Sequence, residues 1–363
     1  MLKKKVVATA LTASLVVPVL GATVVGAETG DTTPKSSQTT TTDSNSTSSD
    51  SKTTTNGNDK VQKDDVVHET WSEPVFVKGV SLDATKLTSV KKDLAVKDNF
   101  KTLTMDGNKM VELLGEGDPS SNIYSSVVVQ KTDKGDGVKV DIKTPNNITR
   151  ITQDQYRNAA LTAGLTDVNI EVASSVKATG EGALAGVYYA FKENGVKLDQ
   201  KDMKLAQDEV SMLGKINEQN KGKDGFTDQQ LNVAVADMKQ DIAKLDEKQK
   251  QQLTKEDVEK IVDEKLKELN LQETVTGKQK DMVVNFMFNF KDSNIANNEE
   301  FVKQIGQYKD SVIEGSKEVF GKIKGFMDSE QGQNFLSSVG QFFKDIWNAL
   351  GNFFSNLFGS SEK

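Results

Sequence analysis

The stretch "SVKATGEGALAGVYYAFKENG", residues 175–195, decides the fold, because it reads as the joint between a strand and a helix. Just upstream, Val168, Ile170 and Val172 alternate with polar residues, the period of a half-buried strand. Downstream, Leu184, Val187, Tyr188 and Phe191 recur at helical spacing. Glycines at 180, 182 and 186 sit where the two meet, which raises the question of a bound phosphate. A dinucleotide loop needs G-x-G-x-x-G and an acidic ribose partner at the end of the next strand. Here the third glycine comes one residue late, the next element reads as a helix, and no Lys-Ser or Lys-Thr pair follows. The favoured reading is a helix start, with Thr179 as its cap and Glu181 against the positive end of its dipole. Contact of Thr179, Gly180 and Gly182 with a small anion stays open, since exposed N–H groups favour one.

Working outward, Thr152 to Gln155 forms a capping-box pattern, with Tyr156, Ala160 and Ala163 on one face and Gly164 as the stop. Further upstream, "NIYSSVVVQKT", the turn "DKGDG" and "VKVDIKT" read as a β-hairpin ended by Pro145. Leu87, Val90 and Leu94 share a helical face, and Asp106 and Gly115 bracket a short helix. Beyond Leu198 the pattern is helical, with caps at Thr227 and Thr254. These elements predict an α+β fold: a small mixed sheet with a β-hairpin and packed helices, followed by an all-helical C-terminal part. The expected division is 66–197 for the α+β domain, 198–290 for a helical region and 291–363 for amphipathic, Phe-rich helices.

The two ends read differently. Three lysines, an apolar run from Val6 to Val25 and the small residues Val25-Gly26-Ala27 form a secretory signal over 1–27. Residues 28–65 are rich in Ser, Thr, Asp and Asn, and are expected to be a disordered linker. In the C-terminal part, Leu336, Val339, Phe343, Ile346, Leu350, Phe353 and Leu357 keep a three-four repeat, widened by Trp347 and Phe354. Twelve of the sixteen phenylalanines lie after residue 285, so this stripe is the strongest local bias in the chain. Its other face is Ser, Gly, Asn and Gln. Such a helix over 331–358 suits packing on its neighbours, self-association, or docking on a membrane surface or a protein partner.

Composition narrows the chemistry. Removing residues 1–27 takes away three lysines and no acid, so the formal charge of −7 becomes −10. No basic stripe relieves that charge, which argues against nucleic acid as a partner. There is no cysteine, so thiolate catalysis, disulfides and cysteine-bound zinc are excluded. His68, the one histidine, precedes the folded region, which removes Ser-His-Asp and His-zinc schemes. "NKGKDGFTDQQL", residues 220–231, invites a calcium reading, but Leu231 stands where a bidentate glutamate is required. Arg150 and Arg157 are the only guanidiniums. They suit either a carboxylate or phosphate ligand or a nearby acid of the chain, and the second reading is favoured. No cofactor or metal is expected.

From 146 to 191, "NNITRITQDQYRNAALTAGLTDVNIEVASSVKATGEGALAGVYYAF" resembles a family of exported Gram-positive proteins known as domain of unknown function 1002. The resemblance lies in Ile148-Thr149 with Thr152, in Tyr156 to Gly164, and in Thr179 to Gly186, and extends more loosely over 79–290. Ser174-Ser175-Val176 departs from it, where a proline-containing segment is expected. The resemblance implies an address outside the cell and no established activity. The expectation is a secreted or envelope-associated binding protein whose C-terminal helix docks it. The alternative is an enzyme that acts on cell-wall polymer through carboxylates.

Overall fold

The computed structural model describes residue 71 and residues 73–321. The expected export signal over 1–27, the Ser/Thr-rich residues 28–65, His68 and the 331–358 stripe lie outside the described residues. The chain forms an α+β fold around one five-stranded mixed sheet, with strand order β2-β1-β3-β5-β4. The strands are β1 (Val75–Gly79), β2 (Lys101–Met105), β3 (Ser126–Lys131), β4 (Val138–Ile142) and β5 (Val168–Ala173). β3 is antiparallel to both its neighbours, β1 and β5, whereas β1 with β2 and β4 with β5 are parallel.

The turn after β3 reverses the chain as a hairpin requires, but β5 lies between the two arms. Burial explains the insertion. Val168, Ile170 and Val172 are all at or near zero exposure, and a position inside the sheet, with a strand on either side, covers them better than an edge. Asp167 fixes the turn, its carboxylate accepting from the N–H groups of Gly135 and Gly137 at 3.0 and 2.9 Å. β1 and β2, five residues each, extend the sheet beyond the strands that alternation picks out.

The pleat sends Val75, Val77, Val127, Val129 and Ile170 into the main core. Phe76, Val128 and Ala173 face the other way, against Val90 and Leu94 of α1 (Ala84–Asp93). On the main-core face lie α2 (Gly107–Leu114), α3 (Gln153–Thr162) and α4 (Glu181–Glu193). Then come α5 (Gln200–Asn220), α6 (Asp228–Lys244), α7 (Glu247–Gln252), α8 (Lys255–Glu268), α9 (Lys278–Phe290) and α10 (Glu299–Gly315). One continuous apolar core runs from Val75 to Phe320, so the later helices share it with the sheet.

The glycines of the opening stretch let α4 lie close on β1 and β3. A Cβ on Gly182 would stand 2.5 Å from Ile123 Cγ2, and one on Gly186 would stand 2.8 Å from Val127 Cγ1. The helix starts at Gly180, in the left-handed region at φ 106°, with no side-chain cap. Thr179 is therefore not the cap: it sits one residue early, its hydroxyl 3.4 Å from Glu181. Ser125 serves instead, its Oγ accepting from Ala183 N–H at 3.1 Å. Gly186→Val should lower stability by about 1–3 kcal/mol through overpacking against Val127 and Val77, measured by urea unfolding. Unchanged stability would show that α4 has room to lift off the sheet.

Candidate functional site

A cleft of about 690 Å³ lies at the end of the bundle where α3 and α6 begin and α5 finishes. One wall is the segment between β4 and α3. Pro145 stops the strand, and Asn147 N–H donates to Thr144 O at 2.9 Å. The segment is then tied to the loop before α4. Ile148 bridges Ala178, Asn147 Nδ2 donates to Ser174 O at 2.7 Å, and Ile151 N–H donates to Thr179 O at 3.2 Å. The capping box at Thr152 and Gln155 forms as its spacing predicts, and sets the direction of α3.

The facing wall is the end of α5 and the turn into α6, where Gly222 and Gly225 take positive φ. This is the calcium-like stretch, and it forms a turn with Thr227 capping α6. Gln230 does not complete a capping box there; its amide donates to Leu269 O at 2.9 Å instead. Ile142, Ile148, Ile151 and Phe226 supply the apolar lining of the cleft, and Thr149, Gln153, Asn217 and Gln229 supply uncharged polar groups. Only Arg150, Lys221 and Asp228 are charged. Apolar surface with a few converging hydrogen-bonding groups is the usual make-up of a small-ligand site.

Arg150 lies on the rim and pairs with Glu181, Nη1 donating to Oε1 at 2.6 Å. The structure thus brings Arg150, Thr179, Gly180 and Glu181 together, while Gly182 is buried in the packing of α4. The positive end of the α4 dipole faces a carboxylate of its own helix. Gly180 O accepts from the buried Tyr156 hydroxyl at 2.7 Å. Arg157 lies elsewhere, 3.8 Å from Asp154 and with its guanidinium 5.3 Å from the centre of the Tyr308 ring. Both arginines have an acid of the chain beside them.

Asp228, at the start of α6, has its Oδ1 buried without a partner among the described residues. Burial pushes its carboxyl up to about 6, and the nearby Asp154 adds to the effect, while the Thr152 hydroxyl and Asn232 pull the other way. Asp154 is itself raised by burial, against the opposing pull of Arg157. Of these two acids with a reluctance to ionise, Asp228 lines the cleft.

Deeper in the bundle, Lys239 of α6 and Glu209 of α5 form an ion pair at 2.6 Å with both side chains at zero exposure. Lys239 Nζ also donates to Asn158 Oδ1 at 3.1 Å and Thr162 Oγ1 at 3.0 Å, both on α3. Thr162 donates to the second Glu209 oxygen at 2.5 Å, and Asn158 reaches Tyr308 of α10 at 3.3 Å. Burial holds the lysine below its ordinary range, and Glu209 pulls it back up. With both side chains out of contact with solvent among the described residues, the pair ties α5 and α6 to α3. A second lysine, Lys265, sits among Asp237, Asp241 and Glu268 at 3.0–3.1 Å, an ammonium where a metal would need to be. Among the described residues, no group of three or more His, Cys, Asp or Glu is placed to hold a metal ion.

Lys239→Met should cost about 3–5 kcal/mol, because it strands Glu209 in the core. Adding Glu209→Leu should recover more than half of that loss in urea unfolding. Asp228 has a signed pH effect. Its folded value is raised, so its contribution to stability is full below its unfolded value near 3.8 and is lost as pH rises through about 6. Asp228→Asn should therefore raise stability by roughly 1–3 kcal/mol at pH 8 and change little at pH 3. Paired thermal melts at the two pH values check this, and an equal shift at both would refute it.

Comparison with known proteins gives the chain relatives but no activity. It is 28% identical over 283 residues to the uncharacterized protein YpuA of Bacillus subtilis, covering 76% of this chain and 88% of that protein. No solved structure matches it. The family model described as protein of unknown function (DUF1002) matches residues 78–308, a span holding β2 to β5, the end of β1, both walls of the cleft and most of α10, and the chain belongs to that family.

Proposed function

We propose that the protein is exported through residues 1–27 and works at the cell envelope as a binding protein that takes a neutral, polar ligand in the cleft. The observation that carries this reading is the lining itself: apolar side chains beneath hydroxyl and amide groups, with Arg150 already matched by Glu181. A sugar chain or an extended peptide has that chemistry, apolar ring or side-chain faces alternating with hydrogen-bonding groups. The 28–65 linker holds the folded part clear of a surface, and the 331–358 stripe docks it on membrane or on a partner.

Residues 28–363 should co-sediment with purified peptidoglycan, and Thr149→Trp, which fills the cleft from its exposed rim, should weaken that at least about tenfold, or 1.4 kcal/mol. Equal retention of both forms would remove the cleft from the reading. One observation favours a second reading, an enzyme acting on wall polymer. The carboxyl of Asp228 on the cleft is held at about 6, suited to a general acid. Release of reducing ends from the same polymer, abolished in Asp228→Asn, would establish it.

A further inference from the structure

Of the three charged side chains that line the cleft, Arg150 has its charge met within the chain, by Glu181. Asp228 does not. Its Oδ1 is buried without a hydrogen-bond partner among the described residues. The groups that act on its carboxyl are neutral or of like sign: the Thr152 hydroxyl, Asn232 and the acid Asp154. Arg157, the nearby guanidinium, is taken up by Asp154 and by the face of the Tyr308 ring. A carboxylate oxygen held away from water calls for a donor, and most of all for a positive one. Asp228 is half-buried and part of the cleft lining, so that donor can come from the cleft.

We infer that the cleft takes an ammonium group, seated against Asp228, and that its ligand is therefore a peptide rather than a sugar chain. The inference rests on the binding role proposed for the cleft and narrows its ligand. A primary ammonium has three N–H donors to place. Asp228 supplies the charged acceptor after a small turn about its terminal torsion, which is a soft one. The side-chain carbonyls of Gln153 and Gln229 and the Thr149 hydroxyl, all in the lining, are the neutral acceptors at hand. A divalent cation would need further carboxylates, which the lining lacks. A peptide brings a carboxylate along with its ammonium, and Lys221 at the end of α5 is the cleft's remaining cation. Such a ligand stays neutral overall. A glycan with acetylated nitrogens brings neither charge.

The contact needs an ionised Asp228, which gives it a signed pH dependence. Burial and then Asp154 of α3 hold the free carboxyl at about 6. The other titratable or charged groups at this end of α6 are Arg157 beside Asp154, Tyr308 of α10, Arg150 on the rim, and Lys221, Lys223 and Asp224 in the turn before α6. Below that value the carboxyl is neutral and the contact is lost; above it the contact is full.

Purified peptidoglycan whose free amines have been capped with acetic anhydride supplies the comparison. At pH 7.5, residues 28–363 should bind the untreated polymer at least about tenfold more tightly than the capped one. At pH 5 that preference should shrink to about twofold. Asp228→Asn should bind both polymers as the unaltered protein binds the capped one. Equal affinity of the unaltered protein for the two polymers, with Thr149→Trp weakening both, would overturn the inference and leave the cleft as a glycan site. An equal loss on both polymers in Asp228→Asn would also overturn it, and reduce the carboxyl to a support of the cleft wall. Indifference to Thr149→Trp would remove the cleft as a binding site, and this inference with it.

Discussion

The buried pair between Lys239 and Glu209 is the constraint on which the rest of the bundle depends. An ammonium and a carboxylate removed from water each lose several kcal/mol of solvation, and only near-ideal geometry returns it. Here the remaining hydrogen-bonding capacity is met by Thr162 and Asn158, with Asn232 and Tyr308 completing the shell. The members come from α3, α5, α6 and α10. Sliding any of these helices by one residue would leave a charge or an amide unpaired, which an all-apolar interface would not punish in the same way. The ions thus fix the axial register of four helices. Their ends, and the cleft that those ends enclose, inherit it.

A second consequence concerns the sheet. α3 is both a member of this polar network and the connection between β4 and β5, so its register also sets where those strands meet. Its N-terminal turn is pinned by the Thr152 capping box and by Ile148 against Ala178, and its C-terminal side leads to Asp167, which braces the turn after β3. The cleft wall at 142–153 therefore rests on two independent supports, the strand ladder and the buried pair.

Local signals in the sequence mark local structure well. The caps at Asp106 and Thr152, the stop at Gly115 and the alternation over 168–172 act within a few residues, and all appear where their chemistry places them. The insertion of β5 between the arms of the hairpin is invisible to such signals, because it depends on which strand is most apolar across the whole sheet. β1 and β2 escape for a different reason: at five residues each they are short, and β1 is buried almost throughout with no alternation, whereas β2 alternates only over Thr102 to Met105. The ion pair did leave a trace. Lys239 falls four residues after Val235 and three before Ile242, and Glu209 falls four after Leu205 and four before Leu213, so each lies on the apolar stripe of its helix. Opposite charges in the core phase of two successive helices are the mark of a buried pair. The cleft left less, because it is made by two segments about 70 residues apart that only the tertiary fold brings face to face.

The nucleotide-like loop finds its explanation at the same end of the molecule. A helix start binds phosphate when its N–H groups are left unmet and its dipole faces open water. None of the three helix starts near the cleft meets both conditions. α3 and α6 are capped by Thr152 and Thr227, and α4 has Ser125 on its Ala183 N–H and Glu181 against its positive end. The Arg150 guanidinium, the natural counterpart of an anionic ligand, is held by that same Glu181. Beside it the cleft offers hydroxyls and amides, with Lys221 and Asp228 as its other charged groups. Neither an unmatched Arg150 nor an open helix start is left there for a phosphate, which is why the ligand we propose is a neutral, polar one.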